Sequence, residues 1–95
     1  MATFEWDEIK AELNQRKHGI DFNDAASAWM GPRLTKPGRH PGETRFVSLC
    51  MSHDRLIAVV WTQRNNAIRL ISARSARTNE RKQYDQAIGG SAEDG

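Results

Sequence analysis

Leu56 to Trp61 reads L-I-A-V-V-W, six apolar residues in a row with nothing polar on either alternating face. A strand of that kind is stable only when both of its faces are covered, so it is expected at the centre of a sheet. The surrounding pattern supplies its neighbours. Arg55–Gln63 reads as the whole strand, Thr44–Ser52 as the strand before it and Ala67–Arg74 as the strand after it. Ser52-His53-Asp54 and Arg64-Asn65-Asn66 form the turns between them, where asparagine tolerates positive φ. Gly31 to Thr44 holds all three prolines and three glycines, which leaves room for at most a short irregular strand. Phe4–Trp6 is apolar enough to pair at an edge.

Helical signals flank the strands. Asp7–His18 has Asp7 as N-cap and Gly19 after its last turn, with Ile9, Leu13 and Arg16 on one stripe that Ile20 continues. Asn23–Met30 places Phe22, Ala25, Ala26, Trp29 and Met30 on a core-facing stripe and stops at Gly31-Pro32. A closing helix runs from a Ser75 or Thr78 cap to about Ile88, with only Tyr84, Ala87 and Ile88 on its apolar side. The expected architecture is α+β: two N-terminal helices, an antiparallel β-meander of three to four strands and a C-terminal helix, with the helices packed on one face of the meander. Residues 1–88 are expected to form a single domain and 89–95 a frayed tail.

At 95 residues the chain has the length of one domain, and its formal charge of +2 conceals a strong asymmetry. Residues 1–32 balance to −3, residues 33–86 to +7 and the tail to −2, and nine of the eleven cations in the middle block are arginine. Such a block attracts polyanions, and the guanidinium fork matches phosphate oxygens two at a time. Nucleic acid and an acidic protein both fit as partners. No apolar stretch approaches the roughly 20 residues of a membrane span, and MATFEWDEIK has no secretory pattern, so a cytoplasmic protein is expected. The lone Cys50 sits in an apolar run and is expected to be a small buried hydrophobe.

Three constellations carry candidate chemistry. Lys10, Asn14, Lys17 and His18 share a face of the first helix, setting an imidazole beside two ammoniums. Arg69 and Arg74 interrupt an apolar strand; strict alternation turns them to opposite faces unless the strand is bulged or ends before Arg74. His40, Glu43 and Arg45 stand together where the long loop enters the sheet, and Arg64, Arg77 and Arg81 extend the basic surface. The histidines His18, His40 and His53 are scattered without a carboxylate cluster, so no metal site is expected. Nucleotide-binding glycine loops and a serine-hydrolase elbow are absent.

Three separated blocks resemble the BrnT-type toxins, small ribonucleases of bacterial type II toxin–antitoxin systems. The first is Trp6, Asp7, Lys10, Asn14, Lys17, His18, Gly19 and Phe22; the second is His40, Glu43, Arg45 and Phe46. The third is Ile68 through Ala76 followed by Glu80, Arg81 and Tyr84, so the likeness spans residues 4–84. The resemblance implies a RelE/ParE-like fold and a ribonuclease that inhibits translation. It also implies neutralisation by a BrnA-like ribbon-helix-helix antitoxin, as a heterotetramer that represses its own operon.

For such a ribonuclease, metal-independent cleavage uses the ribose 2′-OH as nucleophile and needs no cofactor. His18 and Glu43 are the candidate bases and Arg69 and Arg74 the catalytic phosphate holders. Lys10, Lys17, Arg45, Arg64, Arg77 and Tyr84 are candidates for binding substrate. The +7 block and the thinly apolar last helix also invite an acidic, helical cover. Two alternatives stand beside this reading: a basic module that binds nucleic acid or an acidic partner without chemistry, and a ParE-like toxin that acts on a protein target.

Overall fold

The structure, a computed structural model, describes residues 3–89. It is an α+β domain built on one five-stranded sheet in the order β1-β5-β4-β3-β2. The strands are β1 (Phe4–Glu5), β2 (Arg33–Pro37), β3 (Phe46–Ser52), β4 (Arg55–Arg64) and β5 (Ala67–Ser75). β2 through β5 form an antiparallel meander, and β1 joins the far side of β5 in parallel. The apolar run lies at the centre of β4, where Leu56 to Val59 are at most 1% exposed. His53-Asp54 and Asn65-Asn66 make the two tight hairpin turns, all four residues at φ of 50° to 70°, the geometry whose twist matches the flanking strands. The predicted irregular segment yields β2, an edge strand that ends on Pro37 as an edge allows.

The helices are α1 (Glu8–His18), α2 (Phe22–Trp29) and α3 (Thr78–Tyr84), the last continued by a single π-helical turn at Asp85–Gly89. They do not share one face as expected. α2 packs with Cys50, Ile57, Val59 and Trp61 on one side of the sheet, while Tyr84 and Ile88 pack with Val47, Leu49, Leu56 and Ala58 on the other. The uniformly apolar centre of β4 demands this, because alternate residues point to opposite faces and each face must lose its water. Cys50 is fully buried, and burial pushes its thiol up to about 11, as suits a packing residue. Residues 90–95 of the expected tail lie outside the described residues.

α1 begins and ends as its sequence predicts. Asp7 accepts hydrogen bonds from the Ile9 and Lys10 N–H groups at 2.8 and 3.1 Å, and Gly19 closes the helix at φ 71°. Its orientation is different. Ile9 and Leu13, the expected core stripe, are 71% and 55% exposed, whereas Asn14 is buried. The reason is a backbone requirement. β1 pairs only with Ile68 and Arg69 of β5, leaving the rest of that edge without a strand. Asn14 stands in for one: its side-chain oxygen accepts from the Ala73 N–H at 3.1 Å, and its Nδ2 donates to the Ala73 carbonyl at 3.0 Å and to that of Ile20 at 3.3 Å. Met30, expected in the α2 stripe, is also exposed, since the helix ends one residue earlier.

α3 is fixed by charge more than by apolar area. Glu80, with a side chain 3% exposed, receives both terminal nitrogens of Arg74 at 2.8 and 3.0 Å and the Lys36 ammonium at 3.2 Å. Its Oε1 also accepts from the Arg77 N–H at 2.8 Å, so the helix starts after Arg77 and neither Ser75 nor Thr78 is its cap.

Two expectations follow. Asn14→Leu strands three backbone groups at roughly 1–3 kcal/mol each, so urea unfolding should show a loss of about 3–6 kcal/mol with the slope unchanged. Arg74, as the leading influence, holds the Glu80 carboxyl down at about 2 from its ordinary 4.5. A depressed carboxylate stabilises the fold above its unfolded value, so this contribution should be intact above pH 4.5 and fade as pH falls towards 2. Glu80→Gln should be less stable at pH 7, by about 3 kcal/mol as for a broken buried pair. It should also lose this part of the acid dependence in denaturant titrations.

Candidate functional site

The sheet face that carries α3 is left bare at the end away from that helix, and there the basic residues gather. A β-bulge makes this possible. Val60 pairs with Ser72 but Trp61 pairs with Leu70, so Ile71 is an extra residue in β5. Arg69 then lies opposite Thr62, and Arg74 opposite Ala58. Thr62 and Ala58 are four residues apart on uninterrupted β4, which places both arginines on the same face, about 13 Å apart along the strand.

Around Arg69 is a cavity of about 140 Å³ lined by Asp7, Lys10, Glu43, Arg45, Thr62, Arg64, Arg69, Leu70 and Ile71. Four separate stretches of chain supply its charges. Lys10 comes from the first turn of α1, where the Asp7 cap fixes the backbone. Glu43 and Arg45 come from the loop between β2 and β3. Two contacts hold that loop: Gly38 N–H donates to the Arg45 carbonyl at 2.8 Å, and Thr62 Oγ1 donates to that of Thr44 at 2.6 Å. A side chain at position 38 would meet the Arg45 backbone at 3.3 Å, so the close approach there favours glycine. Arg64 ends β4 and Arg69 sits in β5.

The carboxylates orient the cations without cancelling them. Arg45 Nε donates to Glu43 Oε2 at 2.7 Å, and that hydrogen bond, helped by the charges of Arg45, His40 and Arg64, holds the Glu43 carboxyl below the usual carboxylate range. Arg69 uses Nη1 on Glu5 at 3.0 Å. Lys10 and Arg64 have no ion-pair partner among the described residues. The cavity holds two carboxylates: Asp7, engaged through Oδ1 as the cap of α1, and Glu43, engaged through Oε2 by Arg45. His40 stands beside Glu43, Nδ1 to Oε2 at 4.0 Å. A pocket of this size is smaller than the roughly 300–1,000 Å³ that encloses a drug-sized ligand. It fits an anionic group rather than a whole nucleotide.

Of the residues singled out from sequence, Lys10, Glu43, Arg45, Arg64 and Arg69 meet here. Arg74 does not: both ends of its fork are on Glu80. Lys17 and His18 lie farther along α1 in a neighbouring groove, which shares Lys10 with the cavity. Arg77 is exposed at the start of α3, and Tyr84 is buried in the core below it, where burial raises its hydroxyl pKa. Asp7, Thr62 and Ile71 were not among the expected site residues. Asp7 was legible in the sequence as the cap of α1, whereas nothing local marked Thr62 or Ile71.

Comparison with known proteins places the chain in a family. A family model described as "Ribonuclease toxin, BrnT, of type II toxin-antitoxin system" matches residues 6–80. A search of the curated proteins gives no match. Within the described residues no helix is long and apolar enough to cross a membrane, and no three His, Cys, Asp or Glu side chains group as metal ligands would.

Proposed function

This chain belongs to the BrnT family of ribonuclease toxins of type II toxin–antitoxin systems, and on that footing we propose that it is a metal-independent endoribonuclease whose scissile phosphate lies in the Lys10–Glu43–Arg45–Arg64–Arg69 pocket. The observation that carries the reading is the convergence of cations from four separate stretches of chain on one small cavity, with the Glu43 carboxylate among them. Arg64 and the unused nitrogens of Arg69 meet the non-bridging phosphate oxygens, where charge grows as phosphorus becomes five-coordinate.

Glu43 takes the proton from the ribose 2′-OH as that oxygen bonds to phosphorus. Lys10 gives a proton to the departing 5′-oxygen as the P–O5′ bond breaks, leaving a 2′,3′-cyclic phosphate. Arg45 keeps Glu43 ionised and aimed. The cationic side chains supply the charge that a divalent ion supplies in metal-dependent nucleases. His18, set back along α1, is assigned to binding rather than to proton transfer, and Arg74 to holding α3.

Family membership implies an antitoxin partner. We take it to be an acidic, ribbon-helix-helix protein that covers the arginine pocket and assembles as a heterotetramer. The four-stranded meander with helices on both faces supports a RelE/ParE-like topology.

Purified protein should cleave RNA in EDTA and leave cyclic-phosphate ends. Glu43→Gln and Arg69→Gln should each lower kcat by about 10²–10⁴-fold, as expected for loss of a positioned base or phosphate donor, with far-UV circular dichroism unchanged. The rate in wild type should stay flat from pH 7 to 5, since Glu43 ionises below its ordinary range, whereas an ordinary imidazole base would cut it near 6.5. Bound but intact RNA would favour the non-catalytic module, and cleavage only with added magnesium would overturn the mechanism.

A further inference from the structure

A second cavity adjoins the phosphate pocket. Lys10 and Ile71 line both, and the second, about 230 Å³ between α1 and β5, is completed by Leu13, Asn14, Lys17, His18 and Ser72. Its lining contains no carboxylate, unlike the first, and neither Lys10 nor Lys17 has an ion-pair partner among the described residues. The two ammoniums are seven residues apart on one helix, about 10 Å along its axis. Between them Leu13, 55% exposed, and the bulged Ile71 make an apolar ledge.

These features fit one ligand chemistry. A pocket of about 140 Å³ takes a phosphodiester but leaves the attached nucleoside outside it. The adjoining groove offers that nucleoside an apolar surface and offers the next phosphate a cation, the combination by which proteins track single strands. The bulge makes the two sites neighbours, because Ile71, with no partner residue in β4, lines both.

We infer that the α1–β5 groove is a substrate subsite: the nucleoside adjoining the scissile phosphate lies on Leu13 and Ile71, and the following phosphate is held by Lys17 and His18. The inference rests on the reading that the first pocket holds the scissile phosphate. Lys10 spans the two positions, and Asn14, clamped to Ala73, keeps the groove at a fixed width. Leu13 and Lys17 are then specificity determinants for substrate length, outside the reacting atoms.

The test is a ladder of oligoribonucleotides around one cleavable step: the dinucleotide, then the same step extended by one nucleotide on the 5′ or the 3′ side. Wild type should gain about 10-fold in kcat/KM, equivalent to 1.4 kcal/mol, on extension on one side only. Lys17→Gln and Leu13→Ser should each reduce that gain to less than about 3-fold, the change lying in KM. Lys82→Gln, on exposed α3, should keep it. With a tetranucleotide made uncleavable by a 2′-deoxy at the step, Lys17→Gln should lower the salt slope of binding by about 0.7.

Cleavage of the dinucleotide with no gain on either side would overturn the subsite and leave the phosphate pocket standing. Failure to cleave any length would remove the pocket reading and the subsite with it. A length gain that survives both substitutions, while antitoxin binding is lost, would assign the groove to the protein partner and overturn its assignment to RNA.

Discussion

The exposed edge of β5 is the constraint on which the rest of the molecule depends. A buried backbone N–H or C=O must find a partner, and β1 provides partners for only two residues of that edge. Asn14 provides for Ala73 from a helix rather than a strand. To bring a short amide that close, α1 must lie along the sheet edge with Asn14 and Ala11 inward, and Ile9 and Leu13 are turned outward as a result. The same placement brings Lys10, one turn before Asn14, to the cavity around Arg69. A hydrogen-bonding requirement therefore overrides the apolar periodicity of the helix and positions a cation of that cavity.

Two arginines five residues apart on β5 have different roles although the bulge puts them on one face. Where the counter-charge comes from decides between them. Arg74 meets a carboxylate that is 3% exposed and engages both of its oxygens, and Lys36 and the Arg77 N–H complete that anion's shell. Its fork is fully committed. Arg69 meets Glu5, whose side chain is 38% exposed, through one nitrogen. A partly solvated, single-contact ion pair contributes little to stability and leaves the other nitrogens of the guanidinium free to bind an anion. Arg45 resembles Arg69 in this respect, with one contact to Glu43.

Much of the framework was legible in the sequence because it rests on local rules. The cap at Asp7, the stop at Gly19, the hairpin turns and the burial of β4 each depend on a few adjacent residues. The packing of helices on both faces was implicit in L-I-A-V-V-W and conflicts with a one-sided sandwich. The orientation of α1 was not legible, because periodicity counts apolar residues and cannot register an unpaired strand edge 59 positions away. The bulge was considered as the condition under which Arg69 and Arg74 share a face, but alternation alone could not place it. The convergence of Lys10, Glu43, Arg45, Arg64 and Arg69 depends on both of these long-range facts. Residue type identified the candidates, and only the fold separated Arg69 from Arg74.

The attachment of α3 bears on how an antitoxin would act. The helix contributes Tyr84 to the core, with Ile88 just beyond, and is otherwise retained by the Glu80 cluster, which lies on the same sheet face as the pocket. An acidic partner laid over that face meets Arg64, Arg69 and Lys10, which have spare donors, before it meets Arg74 or Lys36, whose charge is already answered. Glu80 thus acts as an internal competitor that keeps part of the basic face neutral. It confines the attractive field to the end of the sheet where the Arg69 cavity lies, so a partner drawn there by charge covers that cavity and leaves the α3 anchorage intact.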